Sequence, residues 1–379
     1  MKLEIADVPP RTITDRITAH VWWFFGAWLA MLATIHAMIW AGHGWAWFPE
    51  GVHLLFSSSW SHLYAQHNDL QIGPLTFVVT APIVYGLPPL AGEVTAVVLM
   101  AATGLVVLAQ IRALLPARTS KTDRAYLLAG MCFLVLWAEL SVTFAHADDV
   151  LAILFTVLAL RGLRTERPDV AALLLALAAD CKPWAVMFVP LLLLAKPGRR
   201  ARAGLIWFVT IAAAWLPFYL ADHRTLSVGG YRIANDLSSS LRVLGENAAS
   251  TPSWARPAQM LLAIVLGLVV LRQHRWSAVV LVAVAARLLL DPGVNSYYDA
   301  SLLTGTVLCD LLLFAGPIPF LSLSAVLVFY LPMFPLHAHH HLYGLIRTAY
   351  LVTVILTVTL LPARTESEPL PRVRDPGAT

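Results

Sequence analysis

The chain has 379 residues, of which 59% are hydrophobic and 13% charged, with a formal charge of +4 and a mean hydropathy of +0.72. Soluble domains carry about a quarter of their residues as charges, so a cytosolic enzyme, a nucleic-acid binder and a disulfide-built secreted domain are excluded. One span takes ~20 apolar residues, so a dozen would use ~240 positions and leave ~140 for loops and tails. The composition predicts an all-α polytopic membrane protein whose partners include the lipid bilayer and no nucleic acid.

In chain order, Met1–His20 carries charges and no apolar core, so the first apolar run, Val21–Ala41, reads as an uncleaved anchor. Further runs follow at Ala91–Leu114, Ala125–Ala145, Val150–Leu163, Val170–Ala195 and Leu205–Leu220. Five more lie at Ala258–Leu271, Ser277–Leu290, Leu302–Ala315, Pro317–Leu331 and Leu342–Leu361. Lys and Arg gather in Arg112–Arg124, Arg161–Arg167, Lys196–Arg202 and Arg272–Arg275, which assigns these loops to the cytoplasmic side of an inner (plasma) membrane. The loops around Asp69, His146–Asp149, Asp222–Arg256, Asp291–Asp299 and His337–His341 then face outside.

This topology closes under two conditions. Gly73–Tyr85 is short for a span, so it must lie along the outer interface as a helix starting near Pro74. Pro168–Lys196 has basic flanks at both ends, so it must enter and leave on one side, as two short helices meeting at Pro183 with a tip ~18 Å deep. Counting both arms gives about 12 membrane segments with both termini cytoplasmic. Residues 1–363 form one domain, and 364–379 read as a disordered cytoplasmic tail. Cys132, Cys181 and Cys309 have no spacing that suggests a disulfide framework or a thiolate metal site.

Charges within or beside apolar runs are costly and mark candidate sites. His67-Asn68-Asp69 follows a loop rich in Trp45, Trp47, Phe48, Trp60 and Tyr64, which suit a headgroup surface. A carboxylate there can take a proton from a substrate hydroxyl; Asp69 can equally cap the helix near Pro74 or be a solvated loop acid. In His146-Ala147-Asp148-Asp149 one acid is expected to cap the helix at Val150 and the other to face a cavity, where it can bind a cation or a sugar hydroxyl. Lys182 at the hairpin tip is expected to pair with Asp180 or to meet a substrate phosphate. Arg287 can snorkel or hold a phosphate, and Tyr297 and Tyr298 suit sugar stacking or an aromatic belt. The patch His337-Ala338-His339-His340-His341 lies in an outer loop with no carboxylate or second His pair spaced with it, and is a weak metal candidate.

The order of these features resembles the GT-C type of membrane glycosyltransferase, and within it the polyprenyl-phosphomannose-dependent mannosyltransferases of actinobacterial lipoglycan synthesis. Asp69 before Gly73–Tyr85 is similar to that superfamily's catalytic acid in the first outer loop, beside a juxtamembrane helix. Asp148-Asp149 is similar to its second acidic motif, and Asp169-Val170-Ala171-Ala172-Leu173 through Asp180-Cys181-Lys182-Pro183-Trp184 to an alanine-rich stretch ending in Lys-Pro. The resemblance covers roughly the first 220 residues. It departs where the branch often carries Gly-Gln-x-Asn in the acidic loop, and it lacks the large C-terminal domain of some relatives.

The resemblance implies a multi-pass hexosyltransferase working at the outer surface of the cell envelope. Its donor would be a polyprenyl-phosphate sugar, mannose by this branch, and its acceptor a glycolipid or glycan. Asp69 would be the general base, with Asp148 and Asp149 completing the catalytic set. His67, Asn68, His146, Lys182, Arg287, Tyr297 and Tyr298 would bind substrate. The scheme requires no cofactor, although the acid pair can recruit a divalent cation. The rival readings are a secondary transporter coupled through a buried Asp180/Lys182 site and a non-catalytic partner in envelope assembly.

Overall fold

Prolines set the starts of several helices. The computed structural model describes residues 20–39, 42–115, 119–331 and 339–360. It places a proline at the start of Pro74–Gly86, Pro89–Leu114, Pro168–Cys181 and Pro197–Ala221, where the missing N–H costs nothing and the fixed φ suits a helix. All regular elements among the described residues are helical; the extended backbone of Ala234 and Ser250 forms only an isolated bridge. Among the described residues seven helices are long and apolar enough to cross a membrane: Val21–Ile39, Pro89–Leu114, Ser120–Thr143, Pro197–Ala221, Ala255–Arg272, Ser296–Phe314 and His340–Leu360. The protein is an all-α polytopic membrane protein. The three cysteines are buried and form no disulfide.

The core forms around Val279–Leu289, in which every residue from Val279 to Leu288 is buried. A helix apolar on all faces belongs inside the bundle. Gly305 lets the neighbouring helix approach it: a Cβ there would lie 2.6 Å from the Leu281 Cα. By contrast, Pro197–Ala221 buries only Ala203 and Phe218 and offers its remaining apolar surface outward.

One end of the bundle is basic. Gln273 and Arg275 donate to the carbonyls of Thr359 and Val358 there, and Arg112 pairs with Asp123. The acidic motif lies at the opposite end, because Ala147–Arg164 runs from Asp148 and Asp149 to Arg161 and Arg164.

The expected hairpin is present, and it is deeper than the sequence suggested. Its first arm, Pro168–Cys181, is 14 residues of α-helix and about 21 Å long. Ala171, Ala172, Ala176 and Ala178 are buried along it, and such small residues let helix backbones approach closely. Lys182 is extended, as a residue before proline prefers, and this ends the helix. The second arm, Pro183–Leu194, is a 12-residue 3₁₀ helix, whose steeper rise makes it about 24 Å long. The tip therefore reaches the first turn of Ala147–Arg164.

The segment between the first two long helices folds into the bundle. It contributes helices Trp47–Leu55 and Pro74–Gly86, which meet where Gly51 allows the Phe77 ring to lie within 2.0 Å of a would-be Cβ. The sequence pointed to the helix at Pro74 and missed the one at Trp47. Of the aromatics expected at a headgroup surface, Trp45, Phe48 and Tyr64 are instead buried, while Trp47 and Trp60 are exposed. Tyr64 donates to the Ile72 carbonyl and packs on Trp215 and Phe218, which draws the loop inward. The 364–379 tail, the segment before His20, and His337 and Ala338 of the histidine patch lie outside the described residues.

Candidate active site

Asp148 and Asp149 occupy the first turn of Ala147–Arg164 and are fully buried. Carboxylates there complement the helix dipole, but neither is the cap: the capping position is His146, with no side-chain cap bond. Both acids turn instead to Lys182. Its Nζ lies 2.5 Å from Asp148 Oδ2 and 3.1 Å from Asp149 Oδ2. The expected Asp180–Lys182 pair is therefore corrected, and with it the coupling site of the transporter reading. Asp180 lies instead by Trp215 and Tyr64, and its Oδ1 is buried without a hydrogen-bond partner.

An aromatic wall surrounds this cluster. The His146 ring stacks on Tyr297 at 4.0 Å with 13° between planes, and Tyr297 meets Tyr298 edge-on at 4.3 Å. The Arg287 guanidinium lies 3.7 Å from the Tyr298 ring centre and 5.1 Å from that of Trp184. It also pairs with Asp291 at 3.3 Å. Trp184 donates to Asp149 Oδ1 at 3.2 Å. Arg287 is thus buried and held, and does not snorkel; its Nη1 is buried with no hydrogen-bond partner.

Lys182, Trp184, Arg287, Asp291 and Tyr298 border a cavity of about 220 Å³ together with Gln71, Arg256 and Gln259. Asp148 and Asp149 lie behind Lys182 and do not line it, so neither acid takes the expected cavity-facing position. Arg256 donates to the Tyr231 carbonyl at 2.5 Å and, among the described residues, forms no ion pair with a carboxylate. Lys182 is shared by two acids and Arg287 has one, so Arg256 is the cation most available to an anionic ligand. A second, apolar cavity of about 450 Å³ lies alongside, lined by Ile211, Trp215, Leu216, Tyr219 and Leu226 among others. Pro183, Val228 and Gly229 line both. A cavity bearing charged side chains thus adjoins an apolar groove.

The loop bearing Asp69 is tied to this site at both ends. Gly44 N donates to the Phe144 carbonyl at 2.8 Å, and a Cβ on Gly44 would lie 2.9 Å from the His146 ring. Gly73 N donates to the Cys181 carbonyl at 2.8 Å, and a Cβ on Gly73 would lie 1.8 Å from the Asp180 carbonyl oxygen. Only glycine permits that second approach. Asp69 is two residues from the cavity-lining Gln71, a chain reach of at most ~7 Å. Its carboxylate has no side-chain partner among the described residues, and Asp69, His67 and Asn68 are all half-buried. The His67 backbone closes the single helical turn Leu63–Gln66.

One atom each of His146, Asp148 and Asp149 lie within 4.8 Å of one another, a donor set of the kind that holds a divalent cation. The Lys182 ammonium already supplies positive charge to both acids. Among the described residues this cluster, not the histidine patch, is the metal-capable one; His340 instead bonds Ser238.

The model of glycosyltransferase family 87 matches residues 73–316, well over half of the chain. The chain belongs to that family. This family 87 membrane glycosyltransferase matches no curated protein and no solved structure. The matched span holds the acid pair, the hairpin and the tyrosine pair, and begins just after Asp69. Arg256, Trp184 and Gln71 went unselected in the sequence because their roles come from facing a common cavity. Only the Lys-Pro-Trp order offered a local hint, for Trp184.

Proposed function

We propose that this glycosyltransferase moves a hexose, mannose as the resemblance suggests, from a polyprenyl-phosphate donor to a cell-envelope glycolipid or glycan. The observation that carries this is the cation-lined cavity joined to an apolar groove through Pro183, Val228 and Gly229. That shape and chemistry suit one molecule with an anionic head and a lipid tail. The phosphate faces Arg287 and Arg256, whose planar donors suit phosphate oxygens. The tail runs past Trp215 and Tyr219.

In this reading Asp69 takes the proton from an acceptor hydroxyl, and the hydroxyl oxygen attacks the anomeric carbon. The bond from that carbon to the phosphate oxygen breaks with inversion, and polyprenyl phosphate leaves with the electron pair. Guanidinium groups beside the leaving oxygen stabilise the charge that grows there. Asp148 and Asp149, fixed by Lys182, stand beside His146 and Tyr297 and orient the sugar. The site faces the outer surface of the plasma membrane.

The test is a transfer assay on purified protein in lipid, with radiolabelled polyprenyl-phosphate mannose and a glycolipid acceptor pool. Labelled product from the wild type and none from Asp69→Asn supports the reading. Product from both removes Asp69 as base, and product from neither removes the donor.

A further inference from the structure

The long helix Ser120–Thr143 does not end as an α-helix: its last turn, Glu139–Thr143, is π-helical. Such a turn holds one residue more than an α turn and often marks a functional site. Here it meets three separate parts of the active site.

Its Leu140 carbonyl accepts from His146 N at 3.3 Å, which sets the start of the acid helix. The Val142 and Thr143 carbonyls accept from Gly42 N at 3.0 Å and His43 N at 3.1 Å, which anchors the loop that leads to Asp69. The Glu139 side chain reaches the third part: Oε1 accepts from Ser296 Oγ at 2.5 Å. Ser296 directly precedes the tyrosines that carry the His146 stack and the Arg287 contact. Ala145, between the π turn and His146, has φ +51°, a backbone conformation that costs an alanine energy and persists only where its surroundings impose it. Glu139 is itself buried, and its second oxygen has no hydrogen-bond partner.

We infer that Glu139 is a positioning residue: through Ser296 it locks the tyrosine pair against the acid motif, at the π turn that also anchors the Asp69 loop. It touches neither donor nor acceptor and acts by holding Tyr297 and Tyr298 in register with His146 and Arg287. The inference rests on the active site proposed above; its test does not depend on that donor.

The experiment compares wild type, Glu139→Leu, Glu139→Gln and Ser296→Ala in full-length protein in detergent. In Glu139→Gln the amide oxygen still accepts the serine hydroxyl, whereas the leucine side chain of Glu139→Leu has no acceptor. Hydrogen exchange across residues 292–299 is expected to speed about tenfold in Glu139→Leu and Ser296→Ala and to return to the wild-type rate in Glu139→Gln, with the acid helix protected throughout. In the transfer assay the same two variants should raise the donor KM about tenfold and leave kcat within twofold. Unchanged exchange in Glu139→Leu overturns the lock. Faster exchange with unchanged KM overturns its part in the reaction. If the wild type transfers nothing from polyprenyl-phosphate mannose, the proposed donor fails, and the exchange comparison still decides the lock.

Discussion

Two acidic regions line one end of this protein, and they are built differently. Asp148 and Asp149 are fully buried and share the Lys182 ammonium. Asp69 is half-buried in a loop, and its carboxylate has no side-chain partner among the described residues. One ammonium shared by two buried carboxylates fixes them in place and offsets part of their charge, so they suit a framework better than a base, although Asp148 Oδ1 and Asp149 Oδ2 have no hydrogen-bond partner. An unengaged carboxylate beside a cavity can take a proton. The sequence reading put all three acids in the catalytic set with Asp69 as the base; their surroundings differ in the way that a holding and a reacting carboxylate would.

The largest effect should come from removing the framework's cation. Lys182→Met leaves two buried carboxylates uncompensated, and breaking such a cluster costs about 3–5 kcal/mol. Thermal unfolding in detergent should show severe destabilisation, relieved when Asp148→Asn and Asp149→Asn are added. Full stability in Lys182→Met alone would break the distinction drawn here.

Asp69→Asn should do the reverse. The thermal midpoint should stay at the wild-type value while kcat falls about 10²–10⁴-fold, the scale of lost general-base assistance. A parallel fall in stability would make Asp69 a second framework acid.

Arg256→Gln should be milder, raising the donor KM by roughly tenfold, the cost of one charge-assisted hydrogen bond, with kcat retained. Steady-state kinetics against donor concentration would show it. A change in kcat alone would move Arg256 away from the donor phosphate.

The smallest effect belongs to Asp222, at the end of Pro197–Ala221. Arg224 bonds its carboxyl, which holds it well below the usual carboxylate range. Because the folded value is depressed, the stabilisation is present above the unfolded value of about 3.9 and fades as pH falls through the folded one. Thermal melts of Asp222→Asn should thus differ slightly from wild type at neutral pH and converge with it in strong acid.

Much of this was legible in the residues. Apolar run length and the absence of soluble-type charge density set an all-α membrane chain. The proline at 183 set the hairpin break because the residue before a proline is disfavoured in the helical region, and Lys182 is extended there, whereas Pro82 and Pro217 sit inside continuous helices. Pro74 set a helix start for the same kind of local reason. His146, Asp148, Asp149, Lys182, Arg287, Tyr297 and Tyr298 were all selected as charged or aromatic residues within or beside apolar runs, and the fold gathers them.

What the sequence could not decide is which of them touch. Lys182 is two residues from Asp180 and more than thirty from Asp148, yet it meets the latter, because the arm lengths, set by α geometry on one side and 3₁₀ geometry on the other, determine where the tip arrives. The π turn at Glu139, the left-handed Ala145 and the Gly73–Asp180 approach are likewise outcomes of packing among distant segments. Local chemistry determined the elements and their ends; the three-dimensional arrangement alone decided which charges compensate one another and which carboxylate stays unengaged.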